Sequence, residues 1–457
     1  MKINFINNAW GNTQIKYNNY NTISNTQRYD TRYLLLPKDT VSFQKSSDVP
    51  PEVRTYLDRR KKELGRSYDM LASYATKKLE GIQNGIPLFD GLSIKQILFL
   101  ANHLTEVVIK RGCNNVCKHC YAEAVPPPVK APENFISAIS YNDFENLCNG
   151  FAELNNRFGF NIFKNSKAEY NTLFHDADSS MITLTNNDGI VFDYADLSKM
   201  LHDVTGKLVL FDTAGWNIQD KKTQARMDAL VEKILNTNEY NFMEFHISVN
   251  PFHPIYALSL KQQDPELAKK YRNIYTNRMA NIICTFAPLV NKYNMISDRS
   301  MLQFNVRALD NKTRNVKGYR VSDLNSLTDE IQAKVKEKLE TKSTFGSQHE
   351  TDLFLDWLKN QFENVDSGIS AAGRNAEIVT DKRSNTYKTT LEATKHTPNE
   401  AAQLFENGFL DINGKFYITN WREVFPTDIC LNYENSEKTT AKIAPNLRKD
   451  MVTRTIM

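Results

Sequence analysis

Three cysteines stand close together in a chain that has few others. Cys113, Cys117 and Cys120 form a Cys-x3-Cys-x2-Cys run, and the 457 residues contain only six cysteines. This crowding makes a poor disulfide framework and a good metal site. Cysteine thiolates are the usual ligands of iron–sulfur clusters, and three of them can hold a [4Fe-4S] cluster whose fourth iron stays open to another ligand.

A structural zinc site is the alternative for the same loop, with His119 as a fourth ligand. Structural zinc sites usually combine two ligand pairs separated by a finger-length loop, whereas His119 directly precedes Cys120. The spacing therefore favours a cluster over zinc.

The remaining cysteines, Cys148, Cys284 and Cys430, lie one apiece in separate segments. They cannot supply the four ligands of a second [4Fe-4S] cluster. Cys148 falls on an apolar helix face and Cys284 lies among apolar residues, so both are predicted to be buried core thiols.

Composition excludes several classes of protein. The chain is 41% hydrophobic and 24% charged, with a mean hydropathy of −0.51, which excludes collagenous, coiled-coil and disordered classes. No apolar run approaches the roughly 20 residues of a membrane span, and the first residues do not form a signal peptide. We therefore expect a cytoplasmic protein with no membrane partner. The net charge of +4 gives no support to a nucleic-acid partner.

Strand and helix signals alternate after the first hundred residues, which predicts a parallel α/β architecture to position the cysteine loop. Helices are predicted near 94–103, 140–154, 194–204, 221–235 and 258–292, the last with a break near Asp264-Pro265. The predicted strands are 107–110, 171–174, 207–212, 242–249, 301–307 and 376–379.

The chain divides into three predicted parts. Residues 1–104 combine a polar, disordered N-terminus with two helices, near 53–79 and 94–103. Residues 105–380 form the core, with a helical insertion at about 322–365. Residues 381–457 form a small C-terminal extension, in which Asn413-Gly414 between apolar runs predicts a hairpin.

The cysteine loop resembles that of the radical S-adenosylmethionine (radical SAM) enzyme superfamily. The resemblance depends on the cysteine spacing, on the aromatic ring before the third cysteine and on a preceding strand. Its Cys-Asn-Asn-x-Cys-x-His-Cys-Tyr form is similar to that of members acting on peptides and proteins. The run comprises Cys113, Asn114, Asn115, Val116, Cys117, Lys118, His119, Cys120 and Tyr121.

This resemblance implies an α/β fold with a partial (β/α)6 TIM-like barrel, an N-terminal helical extension and a small C-terminal extension. It implies that Cys113, Cys117 and Cys120 hold a [4Fe-4S] cluster whose open iron binds S-adenosylmethionine. In that family the reduced cluster cleaves S-adenosylmethionine to methionine and a 5′-deoxyadenosyl radical, which abstracts hydrogen from substrate. An electron donor such as flavodoxin or ferredoxin and a peptide or protein substrate would be the partners. An RNA-modifying member is the alternative within the family, but it would need a basic binding face.

Candidate cofactor residues follow the predicted strands, because β/α barrels build their sites at the carboxyl ends of the strands. The family usually has a Gly-Gly-Glu type motif after the second strand. This chain instead offers Asp176 and Asp178, either of which could accept hydrogen bonds from the cofactor ammonium. Gly215 after the third strand would let the backbone approach the cofactor. A polar turn at the aspartates and a positive-φ turn at Gly215 are the alternatives.

The fourth and fifth predicted strands supply the other candidates. Ser248 and Asn250 share one face and are candidate ligands of the cofactor ribose. Arg307 could pair with the cofactor carboxylate or form a salt bridge at the barrel mouth. His246 and His253 could bind substrate or transfer protons, or form structural hydrogen bonds. The sequence assigns no catalytic residue.

Overall fold

The computed structural model describes much of the region from residue 81 to residue 434. The described residues are 81–113, 115, 117, 120, 138–164, 166, 168, 170–173, 177–293, 301–309, 311, 318–342, 344–363, 365–366, 407–419 and 424–434. The predicted helix near 53–79, the predicted strand at 376–379 and the candidate Asp176 lie outside these residues.

Eight α-helices occur in the described part of the chain. Short polar side chains begin several of them: Ser93 accepts a hydrogen bond from the Gln96 amide, and Ser140 accepts one from the Asp143 amide. The helices are α1 (Ile94–His103), α2 (Tyr141–Phe158), α3 (Tyr194–Thr205), α4 (Lys221–Asn236), α5 (Pro254–Lys261), α6 (Pro265–Tyr293), α7 (Asn325–Lys342) and α8 (Gln348–Glu363).

Eleven β-strands occur in the same residues. Nine of them form one sheet, and the short strands β3 and β4 form a separate antiparallel pair. The strands are β1 (Leu104–Val107), β2 (Tyr170–Thr172), β3 (Leu184–Thr185), β4 (Val191–Phe192), β5 (Leu208–Thr213), β6 (Met243–Val249), β7 (Leu302–Arg307), β8 (Val365–Asp366), β9 (Asn407–Leu410), β10 (Lys415–Thr419) and β11 (Val424–Cys430).

The main sheet is mostly parallel, in the order β11-β10-β9-β1-β2-β5-β6-β7-β8. All neighbours from β9 to β8 are parallel, and the β9–β10–β11 connections are antiparallel. β11 and β8 stand at opposite edges, and no hydrogen-bonded pairing in the described residues joins them. The sheet is therefore open in the part of the chain that the structure describes.

The two faces of the sheet differ in chemistry. Phe211 of β5 and Phe245 of β6 point to one face, where both rings pack against Phe286 of α6 with centroids 5.6 Å apart. Asp212 and His246, which are register partners on the same strands, point to the other face and are partly exposed. We call these the apolar face and the polar face of the sheet. Alternation along each strand produces the division.

The predicted helices agree closely with the observed ones. The long helical segment near 258–292 is two helices, α5 and α6, separated at Asp264 as expected. Residues 322–365 contain two helices, α7 and α8, and the described residues between these helices form no strand. A proline cannot continue the preceding helix hydrogen bonds, which explains why α6 begins at Pro265.

The first strand was predicted three residues too late, at 107–110. β1 begins at Leu104 directly after α1, and Leu104 pairs with Gly408 of β9. Beyond β1 the chain continues to bond irregularly, because the Val108 amide donates to Leu410 and the Ile109 amide to Leu173. Of the apolar run Val107–Ile109, only Val107 belongs to β1 and the other two residues follow the strand, a boundary that apolar patterning does not indicate.

The predicted C-terminal hairpin is confirmed as β9 and β10, with Gly414 at φ +77° in its turn. Its place in the fold comes from long-range pairing: β9 lies parallel beside β1, and Thr105 Oγ1 donates to the Gly408 carbonyl at 2.9 Å. The hairpin thus extends the main sheet next to the strand that leads into the cysteine loop.

Candidate functional site

The cysteine loop leaves the carboxyl end of β1 through Gly112, whose φ of +93° favours glycine. Cys117 is buried at 7% exposure, whereas Cys113 and Cys120 are partly exposed. The Asn115 amide donates to Cys113 Sγ at 3.4 Å, and the Cys120 amide donates to the Cys117 carbonyl at 3.2 Å. These two bonds connect residues within the loop on either side of Cys117.

The charges around Cys117 include those of the other two cysteines. The pKa of Cys117 is raised well above its usual value, first by burial and then by the charges of Cys113 and Cys120. Asp178 raises it further, and the Arg278 guanidinium lowers it. Burial and the neighbouring acidic groups thus favour the neutral thiol of Cys117, whereas a bound metal favours the thiolate.

The donor set fits an iron–sulfur cluster in type: three thiols on one loop with a backbone amide directed at a sulfur. The side chains are not arranged as a coordination shell, because no three His, Cys, Asp or Glu side chains among the described residues are placed to hold a metal ion. The loop thus contains suitable donor atoms, but the described side chains do not surround a metal position as they would in a structural metal site.

Asp178 lies fully inside the protein where β2 and β5 end. Its Oδ1 accepts from the Ser180 amide, the Ser180 hydroxyl and the Thr213 hydroxyl at 3.0, 2.6 and 2.6 Å. Its Oδ2 accepts from Asn115 Nδ2 at 2.9 Å and from the Ala214 amide at 2.8 Å. Burial raises the pKa of Asp178, and these hydrogen bonds oppose that rise. The carboxyl group therefore joins three chain segments, and its contact with a cofactor ammonium stays a prediction.

Asn115 connects the cysteine loop to this carboxylate. Its Nδ2 donates to both Asp178 and the Gly215 carbonyl, the latter at 2.8 Å. Its Oδ1 accepts from Arg278 Nη2 at 2.5 Å. Both amide hydrogens and the amide oxygen are thus engaged, so this one side chain fixes the loop against the ends of β2 and β5 and against α6.

Gly215 has the positive φ that its turn was predicted to need, +92°. A Cβ there would stand 2.1 Å from Ile282 Cδ1, so glycine is required for α6 to pack against this turn. Its carbonyl accepts from both Asn115 and Arg278. A role in approaching the cofactor stays a prediction.

Ser248 and Asn250 share a face as predicted, and both are buried. Asn250 Nδ2 donates to Ser248 Oγ at 3.3 Å, and the Tyr275 hydroxyl of α6 bonds both the amide and the carbonyl of Asn250. Asn250 Oδ1 is buried and has no hydrogen-bond partner among the described residues.

Arg307 ends β7 on the polar face, where its Nη2 lies 3.9 Å from Asp212 Oδ2. This is the salt bridge that the sequence left open as an alternative, and both side chains are about one quarter exposed. Their exposure leaves room for a ligand carboxylate to compete for the guanidinium, and that contact stays a prediction.

The two candidate histidines have different surroundings. His246 Nε2 lies 2.9 Å from Glu244 Oε1 on the polar face, and its side chain is 21% exposed. His253 is buried, and its Nδ1 accepts from the Ile255 amide at the start of α5. His253 therefore acts as a helix cap, and His246 is the histidine available on the polar face.

Sequence reasoning missed Asn115, Arg278 and Tyr275 as site residues. Arg278 had a usable signal: it falls three residues after Tyr275 and four before Ile282, on the buried stripe of α6. A charged residue within an apolar helical stripe indicates a buried partner. No local pattern could have identified that partner, because Asn115 is 163 positions away.

Comparison of the chain with protein-family models and with curated proteins finds no match. None of the helices in the described residues has the length and apolarity of a membrane span.

Proposed function

We propose that this protein is a radical SAM enzyme whose cysteine loop binds a [4Fe-4S] cluster. One observation carries the proposal: the three-cysteine loop follows the first strand of a parallel sheet and is tied by Asn115 to the ends of β2 and β5. In parallel β/α folds the carboxyl ends of neighbouring strands build the site. The cysteines therefore lie where such a fold places its chemistry.

The strand order supports a partial (β/α)6 barrel as the finer architecture. β1, β2, β5, β6, β7 and β8 are parallel neighbours in chain order, with at least one α-helix between each consecutive pair. This is the progression of a β/α barrel interrupted before closure. The polar face would be its interior, because α6 covers the apolar face.

Specific atoms would hold the cofactors. Cys113, Cys117 and Cys120 would ligate the cluster, and Asn250 Oδ1 is an unused buried acceptor that suits a ribose hydroxyl. When bound, the reduced cluster and S-adenosylmethionine supply a 5′-deoxyadenosyl radical that abstracts hydrogen. The chain contributes binding, orientation and exclusion of water around it.

The polar face supports a substrate role for His246 and a role for Arg307 in binding the cofactor carboxylate. Both are partly exposed, and both are oriented by carboxylates, Glu244 and Asp212 respectively. A peptide or protein substrate is favoured by the form of the cysteine loop alone. Flavodoxin or ferredoxin would deliver the electron.

Anaerobic reconstitution tests the proposal. The full chain is loaded with iron and sulfide, reduced with dithionite and mixed with S-adenosylmethionine, and 5′-deoxyadenosine is measured. We expect near-ultraviolet and visible cluster absorption and 5′-deoxyadenosine formation. A well-formed cluster that yields no 5′-deoxyadenosine would contradict the proposal.

A triple Cys113→Ala, Cys117→Ala, Cys120→Ala variant is the control, because it removes the ligands and leaves Cys148, Cys284 and Cys430 in place. It should bind no cluster and form no 5′-deoxyadenosine. A colourless wild-type protein with stoichiometric zinc would instead identify the loop as a structural zinc site.

A further inference from the structure

Arg278 is a cation placed inside the protein beside the cysteine loop. It lies on α6 and is only 7% exposed. Its helix neighbours Tyr275 and Ile282 are fully buried as well. Burying an arginine is costly unless its charge and its donors are used, which indicates a specific task.

The Arg278 guanidinium donates hydrogen bonds to the cysteine loop and to the turn after β5 that contacts it. Nη2 donates to Asn115 Oδ1 at 2.5 Å and also to the Gly215 carbonyl. Nε is buried without a hydrogen-bond partner among the described residues. The guanidinium thus connects α6 to the loop residue between Cys113 and Cys117 and to the turn after β5.

Asn115 separates this cation from a buried anion. The same amide accepts from Arg278 and donates to Asp178, so the three side chains form an Arg278–Asn115–Asp178 relay of hydrogen bonds. The Asp178 carboxylate binds the amide nitrogen of Asn115, and the Arg278 guanidinium binds its amide oxygen. Loss of either end leaves a buried polar group unpaired.

The relay also sets the charge around the thiols. Cys113, Cys120 and Asp178 raise the pKa of Cys117, and the Arg278 guanidinium lowers it. A cluster held by three thiolates carries negative charge that grows when it accepts an electron. A fixed cation inside the protein stabilises the reduced form more than the oxidised form, because the reduced form carries more negative charge. The effect is strong because solvent screens the interaction little inside the protein.

We propose that Arg278 is a positioning residue that fixes the cysteine loop through Asn115 and raises the reduction potential of the cluster bound there. The effect on the reduction potential rests on the proposed function, because it needs the cluster. The loop-fixing role applies to the protein without metal as well. Lysine retains the charge but not the planar set of donors, so Arg278→Lys separates the two parts.

The first measurement uses the full-length protein without metal. Hydrogen exchange of the 111–120 segment is compared among wild type, Arg278→Gln, Asn115→Ala and Arg272→Gln. Arg272 lies on the same helix and pairs with Glu330 of α7, so it is a matched control. We expect at least tenfold faster exchange in this segment for Arg278→Gln and Asn115→Ala, with wild-type exchange in Arg272→Gln.

The second measurement is the midpoint potential of the reconstituted cluster, followed by its electron paramagnetic resonance signal. Arg278→Gln should lower the equilibrium constant of one-electron reduction at least tenfold, which is about 59 mV more negative. Arg278→Lys should restore most of the potential, and Arg272→Gln should match wild type. A purely structural role would change cluster content and leave the potential unchanged.

The outcomes separate the two proposals. Unchanged exchange in both Arg278→Gln and Asn115→Ala overturns the loop-fixing role, whether or not a cluster forms. A wild-type cluster with an unchanged potential in Arg278→Gln overturns the electrostatic role alone. Failure of the wild-type protein to bind a cluster overturns both the proposed function and the effect of Arg278 on the reduction potential. The hydrogen-exchange result then decides the loop-fixing role by itself.

Discussion

Cys117 and Cys148 are both buried thiols, but they occupy different kinds of surroundings. Cys148 lies on α2 among core residues such as Phe144 and Phe151, and burial is the main cause that raises its pKa. Cys117 is equally enclosed, but it faces two further thiols, a buried carboxyl group and a buried guanidinium. Asp203 and Glu145 also raise the pKa of Cys148, so the two further thiols and the guanidinium, rather than burial or nearby carboxylates, distinguish Cys117.

The strongest test of this contrast replaces one cysteine from each region. Cys117→Ala should reduce reconstituted iron to background, because two thiols cannot hold the cluster. Cys148→Ala, with the same change at similar burial, should retain wild-type iron and 5′-deoxyadenosine. Iron per chain, measured after anaerobic reconstitution, checks both. Equal iron in the two variants would remove the distinction between the regions.

The carboxyl group near Cys117 should matter for stability as well. Asp178→Ala leaves donors from Asn115, Thr213 and Ala214 unpaired inside the protein, and we expect a loss on the order of 3 kcal/mol in the free energy of unfolding. Urea unfolding of the metal-free protein measures it, with the exposed Asp188→Asn as control. A loss below the control's would show that these hydrogen bonds are not stabilising.

Core packing should dominate at the other thiol. Cys148→Ser places a hydroxyl in an apolar environment and should cost about 1–3 kcal/mol of unfolding free energy. Cys430→Ser at an exposed strand end should change it little. Cluster content of the Cys148→Ser variant should stay at the wild-type level, and a parallel loss of cluster would mean that the two regions are coupled.

Alkylation gives the smallest contrast, a difference in rate. In the metal-free protein at neutral pH, the partly exposed Cys113 and Cys120 should react with iodoacetamide at least tenfold faster than Cys148, whose pKa burial raises. Mass spectrometry of the peptides measures each site. Reconstitution should then protect Cys113 and Cys120 and leave the labelling of Cys430 unchanged.

Local patterns were sufficient for most elements of this fold. Ser93 and Ser140 start helices as predicted, because a capping side chain acts on amides two or three residues away. Asn413-Gly414 fixed the C-terminal hairpin for the same reason. The first strand was misplaced, since its start at Leu104 depends on pairing with β9, some three hundred residues later in the chain.

The candidate site also has a part that the local sequence determines and a part that only the tertiary structure determines. The cysteine spacing identifies the loop and its donor chemistry, because three thiols within one short segment are close in any fold. The partners of that loop are decided by tertiary structure: Asp178 is brought to Asn115 by the parallel pairing of β1, β2 and β5, and Arg278 by the packing of α6 against Gly215. Hydrogen bonds and unscreened charges act over a few ångströms in space, and only the assembled sheet and helix bring these residues within that distance.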